Sequence, residues 1–157
     1  MPGGFPFRFP QNEKKTKKST EADLWMKYLL DTDICSYIIR KRPQNLIEKF
    51  KSIPLGEIGI SVITVCEFES GIPGSSHPEK LRSAIDTFLS PFSIIDFQQT
   101  DAISFGIIDF SLQSKGIPIG DMDTMIASQA LSRGLILVTN NIKHYSRVPH
   151  LKYESWK

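Results

Sequence analysis

The sequence predicts an α/β fold built as three layers, α/β/α, around a mainly parallel central sheet. Two observations carry this. Apolar runs at residues 27–30, 58–63, 92–97 and 135–139 are strand-length, and the segments between them repeat their apolar residues at helical spacing. Strands alternating with helices are the pattern of βαβ units, in which crossover helices cover both faces of a parallel sheet. With 157 residues, 40% of them hydrophobic, the chain can bury the core of one domain.

The elements follow in order. Residues 1–25 interleave Phe with Pro and Gly and then turn polar without period, so this N-terminal extension is expected to be disordered. It is either a genuine appendage or an upstream translation artefact, and Met26, just before the first strand, fits a true start. It has no apolar core of about seven residues ahead of a cleavage site, which argues against secretion and for the cytoplasm. The domain proper is expected over 26–157.

After the strand at 27–30, Ile34, Tyr37 and Ile38 predict a helix over 33–40. Pro43 opens a second helix through residue 50. The β-branched run 58–63 is a strand, Thr64 starts a helix ended by Gly71-Ile72-Pro73-Gly74, and another helix spans 78–89. A strand at 92–97 leads into a long helix over 100–115 with Gly116 as its stop. Gly120 and Gly134 bracket a helix over 121–133, and 135–139 is the last clear strand.

Several function classes fall away on composition. No apolar run approaches the roughly 20 residues of a membrane span, so no membrane role is expected. Cys35 and Cys66 have no paired spacing for zinc or a disulfide framework. The net charge of +2 is confined to residues 1–25, which hold five Lys/Arg against three acids and leave 14 of each to the rest. Overall charge is therefore uninformative about nucleic acid.

In open parallel sheets, ligands bind outside the carboxyl ends of the strands. Asp31 follows the first strand, Glu67 lies one turn into the helix after the second, Thr139-Asn140-Asn141 follows the last, and Asp123 opens the helix before it. Each has a plainer reading. Thr64-x-x-Glu67 matches a capping box, Asp33, Asp121 or Asp123 fit helix caps, and Asn140-Asn141 is a turn signal. Caps do not explain Asp31 at the end of a buried strand with further acids aimed at the same rim. Carboxylates about 4 Å apart repel by about 4 kcal/mol at an effective dielectric near 20, which calls for a cation. Oxygen donors without Cys or His favour Mg²⁺ or Mn²⁺, and His77, His144 and His150 are expected to be structural or solvated. Carboxylate-held Mg²⁺ works on phosphates, so hydrolysis of a phosphate ester is the implied chemistry.

The stretches LLDTDICSYIIR, ISVITVCEFESG, GIPIGDMDTMIASQAL and LVTNN together resemble the VapC toxins of bacterial type II toxin–antitoxin systems, within the PIN-domain nucleases. The resemblance covers residues 26–156, down to Arg147-Val148-Pro149 and Glu154-Ser155-Trp156. It implies a PIN fold and a Mg²⁺-dependent endoribonuclease (Mn²⁺ as substitute) that cuts structured RNA, tRNA-like or ribosomal. Carried over by motif, Asp31 and Asp123 would be the metal ligands and Glu67 would complete the cluster, through water or as second ligand and base. The family's fourth acid is replaced by Asn141, which leaves one or two metals open. Asn141 and Thr139 would then hydrogen-bond a metal water. The resemblance further implies a homodimer and a small cognate antitoxin of VapB type. Of the apolar set Ile34, Tyr37, Ile38, Leu46, Ile47 and Phe50 most is expected to pack on the sheet, and the break at Pro43 leaves a groove in which the antitoxin's docking helix would lie and send a basic side chain to the carboxylates.

Two rival functions stay open on sequence. Asp31-Thr32-Asp33 matches the D-x-D of haloacid dehalogenase phosphatases, although Gly120-Asp121-Met122-Asp123 has the wrong spacing for their second acid pair. A PIN-like module that only binds RNA or protein would have lost acids, and three remain. Arg40-Lys41-Arg42, Arg133, Lys143 and Arg147 are either cations that meet RNA phosphates or an ordinary solvated surface.

Overall fold

A computed structural model describes residues 24–157. The expected disorder of 1–25 falls almost wholly outside the described residues. Five strands form one all-parallel sheet: β1 Tyr28–Leu30, β2 Ile58–Ser61, β3 Ser93–Ile95, β4 Ile136–Val138 and β5 Tyr153–Glu154. The helices are α1 Thr32–Ile39, α2 Gln44–Lys51, α3 Val62–Gly71, α4 Pro78–Leu89, α5 Gln99–Ser114, α6 Asp121–Arg133 and α7 Ile142–Tyr145, with a 3₁₀ turn at Leu55–Glu57.

Strand order is β3-β2-β1-β4-β5. The chain winds outward from β1 in one direction and from β4 in the other, so the switch point lies between these two strands, where such sheets leave a crevice. Tyr28, Leu29 and Leu30 pair with Ile58, Gly59 and Ile60 on one side and with Ile136, Leu137 and Val138 on the other. Side chains alternate between faces along a strand. Accordingly Leu30 and Val138 join Ile34, Ile38, Leu46 and Ile85 in one apolar layer, while Leu29 and Leu137 join Ile108, Leu112, Ile126 and Tyr145 in the other. The predicted three layers are present.

The differences from expectation are local and have physical causes. The second strand stops at Ser61 rather than Ile63, because the Ser61 hydroxyl accepts from the Ile63 N–H and caps α3. Thr64 therefore starts no helix, and Thr64-x-x-Glu67 is not a capping box. Asp31, not Asp33, caps α1, and Pro43 is the residue before α2 rather than its first. Gly120, at φ +94°, is the cap position of α6, where a side chain would be strained; Asp121 lies exposed in the first turn. Sequence patterning did not show β5 or α7, which at two and four residues are too short for a period. Among the described residues no helix is long and apolar enough to cross a membrane.

Candidate active site

Four chain segments meet outside the carboxyl ends of β1 and β4. Asp31, Thr32, Asp33, Ser36, Glu67, Asp123 and Asn141 line one cleft of about 450 Å³, with no Lys or Arg in its wall. Asp31 comes straight off the central strand, and its own N–H donates to Val138 O (2.9 Å), which ties β1 to β4 at the rim. Its Oδ1 accepts from Thr32 N–H (2.9 Å) and from the Tyr145 hydroxyl (3.2 Å), and its Oδ2 from the Thr139 hydroxyl (2.8 Å). Thr139 thus holds the first aspartate, its own Oγ1 held in turn by the Asn141 N–H.

Glu67 arrives from the second turn of α3. The Thr32 hydroxyl donates to its Oε1 (2.7 Å) and lies 2.9 Å from Thr64 Oγ1, so Thr64 serves this network rather than a helix start. Asp123 occupies the first turn of α6, where the helix dipole favours an anion. Its Oδ2 lies 2.9 Å from His144 Nδ1 and 3.3 Å from Asn141 Nδ2.

Electrostatically the cleft is acidic and uncompensated. Asp31 is only 4% exposed, and its carboxyl is pushed up to about 7, first by burial and then by the charges of Asp33 and Asp123, against the opposing Thr139 bond. Burial also raises Asp33. The Tyr145 hydroxyl is driven upward by burial and by the Asp31 charge, so it stays a donor. Among the described residues no group of three or more His, Cys, Asp or Glu is placed to hold a metal ion. The donors that line the cleft, Asp31, Asp33, Glu67 and Asp123 with the Asn141 amide, are of the kind that suits a hard divalent cation.

The structure brings together all four sequence-predicted residues, Asp31, Glu67, Asp123 and Asn141. Two members were missed. Asp33, expected as a cap, lies in the cleft wall, its Oδ1 accepting from Ile34 N–H (2.6 Å) and its Oδ2 from Asn140 N–H (3.1 Å). His144, expected to be structural or solvated, contacts Asp123. The only available signals were the second acid of Asp31-Thr32-Asp33 and a polar residue three after Asn141. Of the candidate RNA-facing cations, Arg133 is committed to Asp101 at 3.0 Å, and Arg147 donates to Pro118 O.

The model of the PIN domain matches residues 28–151. The chain belongs to the PIN-domain family. Within it, the relatives are VapC proteins. Ribonuclease VapC2 of Haemophilus influenzae is 40% identical over 131 residues, covering 83% of this chain and 98% of the relative. The tRNA(fMet)-specific endonuclease VapC of Salmonella typhimurium is 36% identical over 131 residues with the same coverage. Among solved structures, DNA-bound VapBC from Salmonella typhimurium superposes with a TM-score of 0.79 at 36% identity, over 84% of this chain and 99% of that one. VapBC2 from Rickettsia felis, bound to a promoter DNA fragment, gives 0.77 at 38% identity over 84% and 100%. A PIN domain of the VapC group is not a haloacid dehalogenase, which removes the phosphatase alternative.

Proposed function

We infer that this protein is a divalent-metal-dependent ribonuclease, the toxin of a VapBC-type toxin–antitoxin pair. The observation that carries the reading is the convergence of Asp31, Glu67 and Asp123, from three separate elements, on a cleft with no internal cation. Asp31 and Asp123 would hold the ion, Mg²⁺ or Mn²⁺. When bound, the ion stabilises charge building on the phosphoryl oxygens and makes a water a better nucleophile. Asp31 is immobilised by its three donors and offers the remaining lone pair of Oδ2. Glu67, fixed at Oε1 by Thr32, has Oε2 free to orient the attacking water and take its proton. Water oxygen bonds to phosphorus, the phosphodiester P–O bond breaks, and the departing oxygen is protonated from solvent. Asp33, both of whose oxygens are held by backbone N–H groups, adds negative potential without reaching outward.

The partners follow from two surfaces. Of the helix set, Ile34, Ile38, Leu46 and Ile47 are buried in the domain's own core, as expected for most of it. A cleft remains between α1 and α4, lined by Ile39, Ala84 and Phe88 over the buried Ile38, with Lys41 and Lys80 at the rim. An amphipathic helix of a VapB-type antitoxin fits this groove. Homodimerisation uses α5, where Ile103, Ile107 and Phe110 stand on one face at 62%, 68% and 76% exposure.

The test is cleavage of RNA by purified protein. Activity with Mg²⁺ or Mn²⁺, none in chelator, and none in the complex with the product of a neighbouring small gene is the expected result. Metal-independent cleavage, or full activity in a saturated complex, contradicts it.

A further inference from the structure

We propose that His144 is a positioning residue that holds Asp123 through its Oδ2 and so sets how tightly the cluster binds a divalent ion. The inference rests on the metal-dependent reading above and goes beyond it to the residue that orients one of the proposed ligands.

The argument is a count of donors. A carboxylate oxygen has about two acceptor directions. Asp31 Oδ1 has both filled, by Thr32 N–H and the Tyr145 hydroxyl, and Asp31 Oδ2 has one filled, by Thr139. Each Asp33 oxygen has one direction filled by a backbone N–H, and Glu67 Oε1 has one filled by Thr32. Asp123 Oδ2 is enclosed by His144 at 2.9 Å and Asn141 at 3.3 Å.

The 2.9 Å contact sets a lone pair against a lone pair unless a proton lies on Nδ1, so the ionised carboxylate selects that tautomer of His144. Asn141 Nδ2 is 2.8 Å from the same nitrogen. The orientation of its amide decides only whether Asn141 donates to Asp123 or accepts from His144; Oδ2 is covered either way. Between them the amide and the imidazole of the turn after β4 fix the orientation of the Asp123 carboxylate. His144 is a partner of a ligand, and such partners typically set metal affinity by about 10–100-fold.

The test is calorimetric titration of the metal-free full chain with Mn²⁺, with RNA cleavage measured on the same samples. The expected result is Mn²⁺ binding with affinity about tenfold weaker in His144→Ala and near the parent value in His144→Gln, whose amide still donates. Equal affinity of the parent and His144→Ala overturns the proposal, as does a Gln variant as weak as Ala. Bound Mn²⁺ without RNA cleavage sinks the nuclease reading and leaves this inference standing; no Mn²⁺ binding sinks both.

Discussion

Two aspartates in this molecule are equally hidden and opposite in character. Asp101 is fully buried in the first turn of α5, and its carboxylate is met by Arg133 at 3.0 Å, by the Gln98 N–H at 2.8 Å and by the Ser132 hydroxyl. Asp31 is 4% exposed and is met by neutral donors only, with Asp33 and Asp123 as its charged neighbours. A buried charge is tolerated when it is paired. Asp101 carries its counter-ion within the fold and ties α5 to α6. Asp31 has none, and the fold holds it for a cation that comes from outside. Burial alone does not distinguish a structural acid from a functional one; the sign of the neighbouring charges does.

The sharpest way to break this comparison is to neutralise each aspartate in turn. Asp31→Asn keeps the shape and removes the charge, and cleavage should fall about a thousandfold or more, since metal stabilisation of the transition state is worth several kcal/mol. Asp123→Asn should behave alike. Asp101→Asn should leave kcat and KM near the parent values below its melting temperature. Near-normal cleavage by both Asp31→Asn and Asp123→Asn would remove the site assignment.

The second effect is on stability and runs with pH. In the metal-free protein Asp31 titrates near 7 rather than at its ordinary 3.8, with burial the first cause. Between those values the folded state holds a proton that the unfolded state has lost, so stability is fully present below the ordinary value and declines as pH rises toward 7. The size is about 3 kcal/mol between about pH 5 and 7.5. Thermal melts in chelator should show the decline, saturating Mg²⁺ should offset it, and Asp31→Asn should flatten it. A decline of equal slope in Asp31→Asn would place its source elsewhere.

Third in size, Asp101→Asn should destabilise the fold by about 2–3 kcal/mol at neutral pH, because Arg133 loses its buried partner. Its side chain is 24% exposed, and this limits the loss. Chemical denaturation measures it, and a change within error would make the pair ornamental.

How much of this was legible in the sequence depends on distance along the chain. Asp31 was readable because a buried strand that ends on an acid is a local signal. Glu67 was readable from its place one turn into the helix after the second strand; what the structure dissolves is the competing capping-box reading, since the Ser61 hydroxyl caps the helix and Thr64 and Glu67 face Thr32. Asp33 was hidden by its own usefulness as a cap, since its Oδ1 does accept a first-turn N–H while its Oδ2 reaches Asn140 across the sheet edge. His144 was hidden because its partner lies 21 residues earlier, on another helix. The pairing of Arg133 was hidden because its counter-ion Asp101 lies 32 residues away. Which local residue caps a helix, and which side chains pair between elements, needed the fold.

The smallest predicted effect is also the most discriminating about the acidic end of the comparison. Asn141→Asp adds an anion beside Asp123, and if the cluster lacks only charge, metal should bind about tenfold more tightly, ~1.4 kcal/mol. One group competes for that gain: His144 stands 2.8 Å from the substituted side chain and 2.9 Å from Asp123, so its ring nitrogen lies within reach of both carboxylates and competes with the ion for them. The double variant Asn141→Asp with His144→Gln replaces that ring nitrogen by an amide, so it should show the tighter binding at least as strongly as the single one. If metal titrations of the parent, the single and the double variants coincide, residue 141 lies outside the reach of the ion. The aspartates would then bind their cation with no help from the turn after β4.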